Sequence, residues 1–130
     1  MRARVLIVED NGLVALEIVH AVRAAGLVVS GPARDVNGAL ELIACEGCDA
    51  AILDINLGKE TSEAVAFELK KRQTPFLVVS AYSRDLPLVF RDVPALTKPI
   101  VPALLIAELM RCINHPKAHL GSFGSSAEIS

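Results

Sequence analysis

Apolar positions along the chain switch between short continuous runs and helically spaced sets. Val5-Leu6-Ile7-Val8 is wholly apolar, as a strand buried on both faces requires, and Leu13, Leu16, Val19 and Val22 then recur at helical spacing until Gly26. Leu27-Val28-Val29-Ser30 predicts a second strand, stopped by Gly31-Pro32, and Asn37 to Cys45 predicts a short helix carrying Leu40, Leu42 and Ile43. Ala50-Ala51-Ile52-Leu53 reads as a third strand running into Asp54. Thr61 is placed to cap a helix through Val65, Leu69 and Lys71, with Glu63 and Glu68 on its solvated face. Phe76-Leu77-Val78-Val79 is a fourth strand. Leu86-Pro87-Leu88-Val89-Phe90 is apolar, but Pro87 sits poorly in a long helix, so a short, irregular or mobile segment is expected there. Ala95-Leu96-Thr97 gives a brief fifth strand, and Pro102 suits the first turn of a last helix bearing Leu104, Leu105, Leu109 and Ile113. The pattern predicts an α/β domain over 1–113, doubly wound around a parallel sheet, with a flexible C-terminal tail over 114–130.

Length and composition narrow the function classes. A chain of 130 residues, 52% hydrophobic and 22% charged, fits one compact domain and excludes a disordered or coiled-coil reading. A formal charge of -2 argues against a surface made to neutralise nucleic-acid phosphates, so no direct nucleic-acid contact is expected. The apolar runs are too short to insert in a membrane and the N-terminus lacks a secretory pattern, which predicts a cytoplasmic protein. Cys45-Glu46-Gly47-Cys48 has the spacing of a redox or zinc half-site but lacks a second pair and a strand-to-helix setting, so Cys45, Cys48 and Cys112 are expected to be free thiols. Cys112, His115 and His119 could be taken for ligands, but they fall where the chain turns into its tail.

In a doubly wound sheet, ligands bind outside the carboxyl ends of the strands. The polar residues expected there are Glu9 and Asp10 after the first strand, Asp54 after the third, Ser80 after the fourth and Lys98 after the fifth. Three carboxylates in one crevice repel unless a cation neutralises them, and an all-oxygen set suits Mg²⁺. The lysine and the hydroxyl add donors for an anion, so the set is matched to a phosphoryl group bridged to the metal.

Val5-Leu6-Ile7-Val8-Glu9-Asp10, Leu53-Asp54-Ile55-Asn56-Leu57, Val79-Ser80-Ala81 and Thr97-Lys98-Pro99 together resemble the motif set of the receiver domain of bacterial two-component response regulators. The resemblance covers roughly residues 4 to 113 and implies a flavodoxin-like fold, strand order 2-1-3-4-5, with helices on both faces. It implies that Asp54 takes a phosphoryl group from a histidine kinase or histidine phosphotransfer protein. Mg²⁺ would be held by Glu9, Asp10, Asp54 and the Asn56 carbonyl, while Ser80 and Lys98 would contact phosphoryl oxygens beside the small Ala81. It also implies a cis peptide between Lys98 and Pro99. The expected role is that of a stand-alone phosphorelay receiver acting on a downstream protein, and not that of an enzyme.

The sequence departs from that family at two places. Receivers commonly carry Tyr or Phe in the fifth strand shortly before the lysine, where this chain has Ala95. Its single tyrosine, Tyr82, follows Ser80 by two residues, and Pro75 to Tyr82 resembles in outline an alphaproteobacterial subfamily with a tyrosine in that loop, which makes Tyr82 and Ala81 candidate switch residues. Two alternatives come from other classes. A pseudo-receiver that binds partners without phosphorylation would have an incomplete acid set. A Toprim-like or haloacid-dehalogenase-like enzyme would want Asp-x-Asp where this chain has Asp54-Ile55-Asn56.

Overall fold

The computed structural model describes residues 2–81 and 86–115. Along the chain these form β1 (Arg4–Val8), α1 (Gly12–Ala24), β2 (Val28–Ala33), α2 (Val36–Cys45), β3 (Ala50–Asp54), β4 (Asn56–Leu57), β5 (Glu60–Thr61), α3 (Glu63–Lys71), β6 (Phe76–Ser80), a 3-10 turn at Leu88–Phe90, β7 (Ala95–Thr97) and α4 (Pro102–Asn114). The main sheet has the order β2-β1-β3-β6-β7 with every pair parallel, while β4 and β5 make a separate antiparallel hairpin. Counting only the five sheet strands, this is the 2-1-3-4-5 order expected from the sequence. The fold is flavodoxin-like.

Period-2 alternation sends the strand side chains to two faces. Val5, Ile7, Ile52, Leu77 and Val79 pack with Ile18, Val19 and Val22 of α1 and with Leu105, Leu109 and Cys112 of α4. Leu6, Val8, Leu53 and Val78 pack on the opposite side with Ala39 and Ile43 of α2, Val65 and Leu69 of α3, and Val89, Phe90 and Val93. Both faces are covered, which is why β1, β3 and β6 read as unbroken apolar runs.

Two local expectations are corrected. Gly31-Pro32 does not end the second strand: β2 continues to Ala33 through a bulge, its register against β1 shifting between Leu6 and Val8. Gly31 has φ +95, and a Cβ there would lie 2.7 Å from Ala33 N and 2.9 Å from Ile7 O, so only glycine fits the bulge. In α1 the stripe that turns inward is Ala15, Ile18, Val19, Ala21 and Val22, leaving Leu13 and Leu16 exposed. The Asn11 cap, whose Oδ1 accepts from Leu13 N and Val14 N at 3.0 and 3.1 Å, sets where the helix starts. Between β6 and β7 the described residues hold only the 3-10 turn, with Val89 and Phe90 buried as core and Leu88 exposed. Helix α4 ends at Asn114, one residue beyond the expected boundary, and most of the expected tail lies outside the described residues.

Candidate functional site

The carboxyl ends of β1, β3, β6 and β7 meet at one edge of the sheet. Glu9 follows β1, and its N–H donates to Ala33 O at 2.9 Å, so the β2 bulge sets the end of β1 in place. The Glu9 side chain is buried and Oε2 accepts from Asn11 N at 3.0 Å. Asp54 closes β3, buried, and Oδ1 accepts from Asn56 N at 3.4 Å. Lys98 follows β7; its N–H donates to Ser80 O at 2.8 Å, and the Lys98–Pro99 peptide is cis, as expected. The lysine ammonium stands 3.1 Å from Asp54 Oδ2 and 3.0 Å from Glu9 Oε1. Ser80 is buried at the end of β6 and Ala81 beside it is exposed. Tyr82 lies outside the described residues.

Glu9, Asp10 and Asp54 each offer an oxygen, and these oxygens lie within 4.8 Å of one another. Burial pushes the Glu9 carboxyl up to about 7; the Asn11 N–H and Lys98 oppose the rise, and the neighbouring Asp54 adds to it. Lys98 loses hydration, which alone would depress it, but Glu9 and Asp54 outweigh that loss and hold the ammonium above its ordinary value. One ammonium faces three carboxyl groups, so the cluster holds more acid than the lysine offsets. Among the described residues, buried Glu9 Oε1 faces Lys98 Nζ at 3.0 Å without a directed hydrogen bond. Hard oxygen donors, excess negative charge and an under-satisfied carboxylate oxygen fit a small divalent cation such as Mg²⁺. Asn56 opens β4 next to this cluster.

Sequence reasoning had no signal for the hairpin beside the site. Asn56-Leu57 and Glu60-Thr61 are too short to show a strand period, yet they pair, and Glu60 Oε2 accepts from Val36 N at 3.0 Å. The Cys45-x-x-Cys48 segment lies away from the site at the end of α2. All three cysteines are free thiols, and burial raises Cys48 to about 11 and Cys112 to about 12, opposite to the shift a reactive thiol needs.

No protein-family model matches the chain. SdrG from Sphingomonas melonis Fr1 is 34% identical in its solution structure and superposes with a TM-score of 0.74 over 84% of this chain and 94% of SdrG. The PhyR stress response regulator is 27% identical, with a TM-score of 0.77 over 90% of this chain and 47% of PhyR. The chain belongs to the receiver domains of response regulators. The transcriptional regulatory protein PdtaR of Mycobacterium tuberculosis is 33% identical over 114 residues, which are 80% of this receiver and 56% of PdtaR. The receiver thus spans about half the length of PdtaR and of PhyR. Among its described residues no helix is long and apolar enough to cross a membrane.

Proposed function

We propose that this receiver is a phosphoacceptor, phosphorylated on Asp54, that signals by changing its affinity for another protein. The observation that carries the reading is the contact of Lys98 Nζ with Asp54 Oδ2 at 3.1 Å, at the rim of a three-carboxylate cluster. A carboxylate nucleophile needs nearby positive charge to accept a phosphoryl group without building up repulsion. An Asp54 oxygen attacks the phosphorus of a phosphohistidine, the P–N bond breaks, and the imidazole leaves with the electron pair. Lys98 then pairs with one phosphoryl oxygen, and the Ser80 hydroxyl donates to another. Glu9, Asp10, Asp54 and the Asn56 carbonyl would hold Mg²⁺, which supplies charge neutralisation at the transferring phosphoryl oxygens.

The donor in this reading is a histidine kinase or a histidine phosphotransfer protein. Leu13 and Leu16 of α1 and Val101 and Leu104 at the start of α4 are exposed, and the two helices cover the same side of the sheet, so these residues offer such a partner an apolar footing. The phosphorylated receiver favours the state in which Ser80 and Lys98 close on the dianion, by the difference in affinity between the two states. A downstream protein reads that state. The domain over 1–113 would act in the cytoplasm without an enzymatic output, with 114–130 as a flexible tail and Tyr82 and Ala81 in the switch. Mass spectrometry after incubation with a small-molecule phosphodonor and Mg²⁺ tests the reading: one phosphoryl group is expected on the unsubstituted chain and none on Asp54→Asn. A phosphorylated Asp54→Asn chain would overturn it.

A further inference from the structure

The β4–β5 hairpin touches both the carboxylate cluster and the start of α2. Its first residue, Asn56, donates its N–H to Asp54 Oδ1 at 3.4 Å. Gly58 in its turn has φ +77, and a Cβ there would stand 3.7 Å from Asp10 Oδ2, so the turn abuts the second carboxylate of the cluster. On the other strand, Glu60 Oε2 accepts from the N–H of Val36, the first residue of α2, at 3.0 Å. That amide is one of the donors a helix leaves unpaired at its N-terminus, and the positive end of the helix favours a carboxylate there. The hairpin is four paired residues and a two-residue turn. Two paired residues per strand hold poorly by themselves, so contacts beyond the pairing place the hairpin: Leu57 is buried in the core and Ser62 N donates to Ile55 O at 2.9 Å, while Glu60 makes the tie to α2.

We propose that Glu60 is a positioning residue for the cation site: by gripping Val36 N it fixes the hairpin that sets Asn56 beside Asp54 and the turn against Asp10. This rests on the reading of Glu9, Asp10 and Asp54 as Mg²⁺ ligands. Coupling between two equilibria is reciprocal. Whatever factor the Glu60–Val36 bond contributes to Mg²⁺ affinity, bound Mg²⁺ returns to the formation of that bond. The cluster and the N-terminus of α2 are therefore linked through an exposed glutamate that contributes no atom to the cluster.

The test is a Mg²⁺ titration of the full chain followed by amide NMR, on the unsubstituted protein, Glu60→Ala and Glu60→Gln. Glu60→Ala is expected to weaken Mg²⁺ binding by about two- to tenfold, the range of one ordinary solvent-exposed hydrogen bond, and Glu60→Gln, which still accepts from Val36 N, to recover most of it. In the unsubstituted chain, Mg²⁺ should shift the Val36 amide and slow its exchange. The Gly38 amide, held by Asp35 Oδ1 at 2.7 Å within α2, should respond less. Equal Mg²⁺ affinity in all three proteins, or a Val36 amide indifferent to Mg²⁺, would overturn the proposal. If Glu60→Ala binds Mg²⁺ as the unsubstituted chain does while Asp10→Ala does not, the site reading stands and the role of Glu60 falls. No binding by the unsubstituted chain would overturn both.

Discussion

Lys70 of α3 and Asp92, which follows the 3-10 turn, form an ion pair at 2.6 Å. The pair ties the segment after β6 to α3, while Phe90, fully buried, plugs the core in place of a longer helix.

These two anchors differ in strength. The ion pair is partly exposed, so Asp92→Asn is expected to cost about 0.5–1 kcal/mol, and less at high salt. Phe90→Ala empties a core site and should cost about 3–5 kcal/mol at any salt. Urea unfolding at low and high salt separates them; equal losses from the two variants would show that the ring is not the main anchor.

The Glu9 carboxyl gives a pH dependence with a definite sign. Its ordinary value is 4.5 and burial first of all raises it to about 7, so between these limits the folded chain holds a proton that the unfolded chain has lost. Stability in metal-free buffer should therefore fall as pH rises across that window. Glu9→Gln, which does not titrate, should flatten the fall. Mg²⁺ should flatten it too, since a cation favours the ionised carboxyl. Superimposable profiles for the parent and Glu9→Gln would contradict this assignment.

The strands and the strand-end carboxylates were legible because both follow from local pattern: runs such as Ala50 to Leu53 admit only a doubly covered strand, and Asp54 stands where such a strand must end. Other features depend on distant groups. The continuation of β2 through Gly31 and Pro32 is secured by the bond from Glu9 N to Ala33 O, which no window around Gly31 contains. In α1 the set of Leu13, Leu16, Val19 and Val22 and the set of Ala15, Ile18, Val19 and Val22 both keep helical spacing, and contact with the sheet chooses the second. Thr61 does serve the start of α3, accepting from Glu63 N at 3.4 Å, although the N-cap position itself is Ser62.

Ser62 makes an unusual cap. Its hydroxyl is buried with no hydrogen-bond partner among the described residues, and its ψ of 17 lies away from the extended backbone that lets a cap side chain reach back to the helix. Replacing an N-cap serine by alanine ordinarily costs about 1 kcal/mol. Here Ser62→Ala should be neutral or stabilising, because it removes an unsatisfied polar group. Thermal unfolding decides, and a clear loss of stability would mean that the hydroxyl is satisfied in solution.

The thiols should sort by burial. Cys45 is exposed, whereas burial raises Cys48 to about 11 and leaves Cys112 at about 12. Brief alkylation of the folded chain near pH 8 should label Cys45 and spare the other two, and urea should make all three reactive. Peptide mass spectrometry reads the pattern; early labelling of Cys112 would place it outside the core.

Because the sheet sends alternate side chains into two apolar layers, the molecule is partitioned by its own middle. A protein pressing on α1 and α4 meets a layer that shares no side chain with the one behind α2 and α3. Two bodies can therefore rest on opposite sides at once without competing for ground. What both sides have in common is the strand ends, where Glu9, Asp54 and Lys98 stand together, so the seam of the molecule is where one side can learn what has happened on the other.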